Sequence, residues 1–139
     1  MNLEKDHFSH EEYPQKDLTE KIIGAAFAVH KTLGSGFVEK IYESALVKEL
    51  QLRGVKAEAQ KPLNVLYGGE VLGRFVADLL VEDSVLIELK ATQGIERRYE
   101  EKLLHYLKAS GIEVGLLINF GSSVQIRRKV STHRFKKTE

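Results

Sequence analysis

The stretch Val85-Leu86-Ile87-Glu88-Leu89-Lys90-Ala91 decides how this chain folds. Four of its first five residues are aliphatic, the pattern of a strand buried on both faces. Glu88 and Lys90 interrupt it. Successive side chains on a strand alternate faces, so these two charges point the same way. Glu and Lys are almost never fully buried unless paired. The stretch therefore predicts a central strand that carries a carboxylate and an ammonium on one face, and that face needs a reason.

The segment just upstream, FVADLLVED over residues 75–83, reads as the partner strand of a hairpin. With Glu82-Asp83-Ser84 as a three-residue loop, Val81 faces Val85 and Asp78 lies opposite Glu88, with Lys90 further along the same face. A two-residue loop would place Asp78 and Glu88 on opposite faces, because a one-residue slip reverses a strand. In the first register, two carboxylates stand side by side and repel unless a cation or proton lies between them. Oxygen ligation by one or two carboxylates, with water and phosphate oxygens completing the shell, suits Mg²⁺ or Mn²⁺. A nearby ammonium can orient water or stabilise charge on a phosphate. The competing reading is a structural ion pair of Lys90 with Glu88 or Asp78.

Working outward, Leu18, Ile22, Ile23, Ala26, Phe27 and His30 recur at helical spacing, with Asp17 and Glu20 in the pattern of a capping box. Gly34 and Gly36 break the chain. A second helix is expected over about 38–53, with Val38, Ile41, Tyr42, Ala45, Leu46 and Leu50 on one face. The period then turns extended, and Gly68-Gly69 marks a hairpin. A third helix is expected over about 95–110, followed by the apolar strand EVGLLINFG and the alternating strand VQIRRKV. The expected order is α-α-β-β-β-α-β-β, a mixed α/β (α+β) sheet flanked by helices in one domain over residues 17–130. Residues 1–16 and the basic tail 131–139 are expected to be flexible.

The chain is 139 residues long, 42% hydrophobic and 29% charged, with a formal net charge of +1. That balance argues against a general electrostatic binder of nucleic acid, although Arg127, Arg128, Lys129, Arg134, Lys136 and Lys137 cluster near the end. Without cysteine it builds no disulfide framework and no thiolate metal site. It has no apolar run of membrane-spanning length and no apolar leader region. These features lead to the expectation of a cytoplasmic protein.

Asp78 followed by Glu88-Leu89-Lys90 resembles the bipartite signature of the PD-(D/E)XK nuclease superfamily, and the element order is similar to that superfamily's core. More narrowly, Gly36, Glu39 and Tyr42 stand at the spacing of the GxxExxY protein family, and VHKTLGSGFVEKIYESAL, FVADLLVED, VLIELKA and HYLKASGIEVGLLINFG all look like that family. The resemblance implies a restriction-endonuclease-like core. It implies Asp78 and Glu88 as metal ligands helped by the Leu89 carbonyl, Lys90 acting on the attacking water, and Glu39 as an accessory ligand. It implies Mg²⁺ or Mn²⁺ as cofactor and nucleic acid as partner. His30, Tyr42, Arg97 and Lys102 are expected substrate contacts, and a homodimer is expected. Lys102 stands where this family carries Gln; a protonated Lys cannot ligate a metal but can contact phosphate. The alternative function is a non-catalytic module that binds nucleic acid or protein on the same fold.

Overall fold

A computed structural model describes residues 13–131. Its elements are α1 (Lys16–Leu33), α2 (Glu39–Leu52), β1 (Ala57–Tyr67), β2 (Glu70–Val81), β3 (Val85–Lys90), α3 (Arg97–Ser110), β4 (Val114–Phe120) and β5 (Val124–Val130). The order is the one expected. The five strands lie in sequence order across one sheet. β3 and β4 run parallel, and the other neighbours run antiparallel. A parallel pair needs a crossover, and α3 supplies it.

Helices cover both faces of the sheet. α1 and α2 pack Ile22, Ala26, Tyr42, Leu46 and Leu50 against Leu79, Val81, Val85, Ile87 and Leu89. On the opposite face Leu103 and Leu107 of α3 pack against Ala77, Leu86 and Leu117. β3 carries buried aliphatic residues on both faces because helices cover both. Ile87 is fully buried between β2 and β4, and truncating it to Ala would cost about 2–5 kcal/mol.

The β1–β2 and β2–β3 hairpins have the predicted turns. Gly68 and Gly69 take φ of 58° and 82°, the left-handed pair that a two-residue turn requires. Val81 pairs with Val85 across Glu82-Asp83-Ser84. Glu82 and Asp83 are themselves left-handed (φ 52° and 54°). Contacts with Lys56 hold them there: its amide donates to Glu82 Oε2 at 2.6 Å, and its carbonyl accepts from the Glu82 amide at 2.9 Å.

Two sequence expectations need correction. Asp17 does not cap α1, which begins one residue earlier at Lys16; Glu20 instead pairs with Lys16 one turn away, at 2.6 Å. Val38 and Ile41 are exposed, so the buried stripe of α2 is narrower than its pattern suggests. Arg127, Arg128 and Lys129 lie in β5, the alternating strand expected over VQIRRKV. Arg128 is buried: its guanidinium lies 3.7 Å from the centre of the Tyr13 ring, and Nη2 donates to the Pro14 carbonyl at 2.6 Å. The chain entering α1 thereby lies against the edge strand β5. Arg134, Lys136 and Lys137 lie outside the described residues, as do residues 1–12 of the N-terminal segment.

β2 pairs with β3 only from Leu79 to Val81, so the rest of the β1–β2 hairpin continues as a two-stranded arm. Leu72 is an extra residue in its ladder, and Phe75 stacks on Tyr106 of α3 at 4.0 Å. Among the described residues no helix is long and apolar enough to cross a membrane.

Candidate metal centre

Asp78 sits one step beyond the Leu79–Ile87 pair, which places it beside Glu88. The strand changes phase here. Phe75 and Ala77 pack with the α3-side cluster, whereas Leu79 and Val81 pack under α1 and α2. Gln60, the β1 residue between the pairs Ala59–Leu79 and Lys61–Ala77, takes φ of 52°. Such a local irregularity re-aims a side chain. The Asp78 carboxylate accepts from the Leu89 amide through Oδ2 at 2.8 Å. That contact ties Asp78 to the strand that carries Glu88.

Glu88 is only 6% exposed, and its Oε1 has no hydrogen-bond partner. Burial, and next the negative charge of Asp78, push its carboxyl up to about 8 from the ordinary value of 4.5. The Lys102 ammonium acts in the opposite direction. A buried carboxylate oxygen without a donor, beside a second carboxylate, suits a divalent cation.

Lys90 shares the face of Glu88 and is half-buried. Its ammonium lies 4.3 Å from the centre of the Tyr99 ring on α3. Tyr99 in turn donates its hydroxyl to Glu96 Oε2 at 2.7 Å. A cation over an aromatic face is attracted by the ring quadrupole, so Tyr99 positions the lysine and not merely the core.

The other predicted residues are placed differently. Glu39 is exposed at the start of α2. Among the described residues no three acidic or histidine side chains are grouped to hold a metal ion, so Glu39 does not join Asp78 and Glu88. Tyr42 is fully buried: its hydroxyl donates to the Gly34 carbonyl at 2.6 Å and accepts from the Phe37 amide at 3.3 Å. Its hydroxyl thereby ties together the loop between α1 and α2. His30 is half-buried, with Nε2 at 2.9 Å from the Gly121 carbonyl; the carbonyl accepts, so this nitrogen carries the proton. Arg97 is exposed at the start of α3 and pairs with Glu101 at 3.3 Å. Lys102 is exposed, with its ammonium 5.4 Å from the Tyr106 ring centre.

Sequence reasoning missed the clamp behind Lys90. Asn119, directly opposite Lys90 in the parallel ladder, is fully buried. Its Oδ1 accepts from the Thr92 amide at 2.9 Å, and its Nδ2 donates to the Thr92 carbonyl at 3.0 Å and to Gln125 Oε1 at 3.1 Å. Gly121 leaves room for this junction: a Cβ there would stand 2.7 Å from the Thr92 carbonyl oxygen. The signal was present, since Asn119 is the one polar side chain in the apolar run VGLLINF.

A family model described as the PD-(D/E)XK nuclease superfamily matches residues 16–131. None of the curated proteins matches. A solved structure titled "Crystal structure of SSO0001" is similar at 18% identity with a TM-score of 0.51, over 84% of this chain and 59% of that one. At that identity the likeness concerns the fold, and this chain spans little more than half of the solved one.

Proposed function

Because this chain belongs to the PD-(D/E)XK nuclease superfamily and has its nuclease-like fold, we propose that it hydrolyses phosphodiester bonds in nucleic acid with a divalent cation held by Asp78 and Glu88. The observation that carries this reading is the orphaned, buried Glu88 oxygen beside an Asp78 locked in place by the Leu89 amide. Such a donor set fits Mg²⁺ or Mn²⁺, with the Leu89 carbonyl as a further oxygen ligand. A cation bound there would polarise a phosphate oxygen and favour deprotonation of water.

The chain's own residues have distinct tasks in this reading. Asp78 and Glu88 supply negative charge at a fixed separation on one sheet face. Lys90, held by the Tyr99 ring, orients the attacking water or balances charge growing on the phosphate. Asn119 fixes the strand end that carries Lys90. Arg97, exposed at the start of α3, and Lys102 contact phosphates along the substrate backbone. Glu39 contributes only if substrate or metal draws it in.

Lys102 also favours a second reading. Its positive charge already compensates Glu88 in part, as it would in a module that binds nucleic acid without cutting. Mn²⁺ titration followed by electron paramagnetic resonance separates the two. The hydrolase reading expects binding that is lost in Asp78→Ala and Glu88→Gln, together with Mn²⁺-dependent cleavage of a polynucleotide. Salt-sensitive binding of polynucleotide with no Mn²⁺ affinity would favour the module.

A further inference from the structure

A cleft of about 580 Å³ opens where β3 and β4 end, beside the loop between α1 and α2. Its walls include Ser35, Phe37, Thr92, Gln93, Phe120 and Ser122, with two glycines and an alanine completing them. No residue lining it is charged. It therefore offers nothing to balance a phosphate or a metal ion. It offers an aromatic surface, hydroxyls and an amide, which together suit a flat, neutral, hydrogen-bonding group.

Phe37 is the notable wall. It is 47% exposed, yet it is held on two sides. Its amide donates to the Tyr42 hydroxyl at 3.3 Å, and its ring meets Tyr42 edge to face with centroids 6.2 Å apart. Tyr42 in turn is fully buried and stacks on Phe120 at 4.5 Å, with the rings nearly parallel. An exposed ring on so rigid a base loses little freedom when something stacks on it. Ser35, Gln93 and Ser122 provide donors and acceptors at the rim. The wall residue Ala91 follows Lys90 directly, so cleft and phosphate site share one strand end.

We propose that this cleft receives one unstacked nucleobase of the polynucleotide whose backbone passes Asp78, Glu88 and Lys90, with the base lying on Phe37. The proposal rests on the nuclease reading and narrows its substrate to single-stranded or locally unpaired nucleic acid. A base inside a duplex would first have to leave its stack.

The test is fluorescence anisotropy with the full chain in chelator, which prevents metal-dependent cleavage. The probes are a labelled single-stranded oligonucleotide, the same strand carrying abasic sites throughout, and its duplex. The wild type should bind the intact strand about 5- to 100-fold more tightly than the abasic strand, the range expected for one stacked base. Phe37→Ala should abolish that difference and Phe37→Trp should keep it, while thermal melts show both variants folded. Equal affinity for intact and abasic strands, or a Phe37→Ala variant that still discriminates, overturns the cleft proposal and leaves the nuclease reading standing. No binding of any probe at low salt would overturn both.

Discussion

The Leu89 amide donates to Asp78 Oδ2 at 2.8 Å, so the backbone of one strand fixes the carboxylate of the next directly beside Glu88. Two carboxyl groups thereby stand side by side on the sheet face that also carries Leu86 and Lys90. Removing Asp78 acts on both the cation site and its neighbour. Asp78→Asn should weaken Mn²⁺ binding by at least about tenfold, the scale of a lost charged contact. It should also bring the Glu88 carboxyl down towards its ordinary value, because the Asp78 charge is the second cause of its elevation after burial. Carbon-13 NMR of the glutamate carboxyls across a pH titration reads this directly; an unmoved Glu88 would contradict the pairing.

The pH dependence of stability follows from the same residue. Glu88 titrates at about 8 in the folded protein against an ordinary 4.5, so the native state holds a proton that the unfolded chain gives up. This stabilisation is full below the unfolded value and fades as pH rises through about 8. Cation-free wild type should therefore lose melting temperature between about pH 5 and pH 9 relative to Glu88→Gln, which keeps a neutral side chain throughout. Divalent cation binding below pH 8 should release a proton, visible as a buffer-dependent calorimetric heat. A constant gap between the two melting profiles would count against an elevated Glu88.

Lys90→Met separates chemistry from cation binding. It should leave Mn²⁺ affinity within a few-fold and lower cleavage by about 10²–10⁴, the range of a positioned acid–base group. Tyr99→Leu removes the ring beneath the ammonium. It should lower cleavage by a smaller factor, about 2- to 5-fold, as expected for an interaction worth 0.5–1 kcal/mol. Single-turnover rates measure both effects, and equal losses in the two variants would argue that Lys90 acts only through packing.

Asn119→Ala should destabilise the protein by about 1–3 kcal/mol, because it removes a fully buried side chain and leaves the part-buried Thr92 amide without its acceptor. For a chain of this size that is a fall in melting temperature of roughly 3–15 °C. Gly121→Ala should also destabilise, since its Cβ would press on the Thr92 carbonyl. A calorimetric scan decides, and an unchanged melting temperature in Asn119→Ala would remove the clamp from the account.

Lys102→Gln installs the amide expected from the GxxExxY resemblance. It removes a cation that favours the charged form of Glu88, so the Glu88 carboxyl should move further up and Mn²⁺ binding should need higher pH. Lys102 is exposed, so added salt should reproduce part of the effect in the wild type.

Much of this architecture was legible from periodicity. β3 announced itself through aliphatic residues bounded by turn signals, and the Glu82-Asp83-Ser84 loop set the register that brings Asp78 to Glu88. The Gly68-Gly69 turn was equally plain because only glycine takes two consecutive left-handed conformations cheaply. What pattern could not show was the partner across space. Arg128 looked like one more surface cation, yet Tyr13 and Pro14 cover it. Tyr42 looked available to substrate, but its hydroxyl is taken by the loop backbone. Asn119 and Thr92 are far apart in sequence, and their hydrogen bonds exist only because β3 and β4 run parallel. Glu39 is where helix spacing puts it, and the fold leaves it exposed and outside the carboxylate pair.

The central claim is that Asp78, Glu88 and Lys90 form one hydrolytic site. The most direct measurement is cleavage of labelled single-stranded and duplex DNA and of RNA by wild type, Asp78→Ala, Glu88→Gln and Lys90→Met, each with Mg²⁺ or Mn²⁺ and with chelator. The wild type should cleave only with the divalent cation, and all three variants should lose that cleavage. Absence of cleavage on every substrate, or cleavage that survives in the variants, would contradict it.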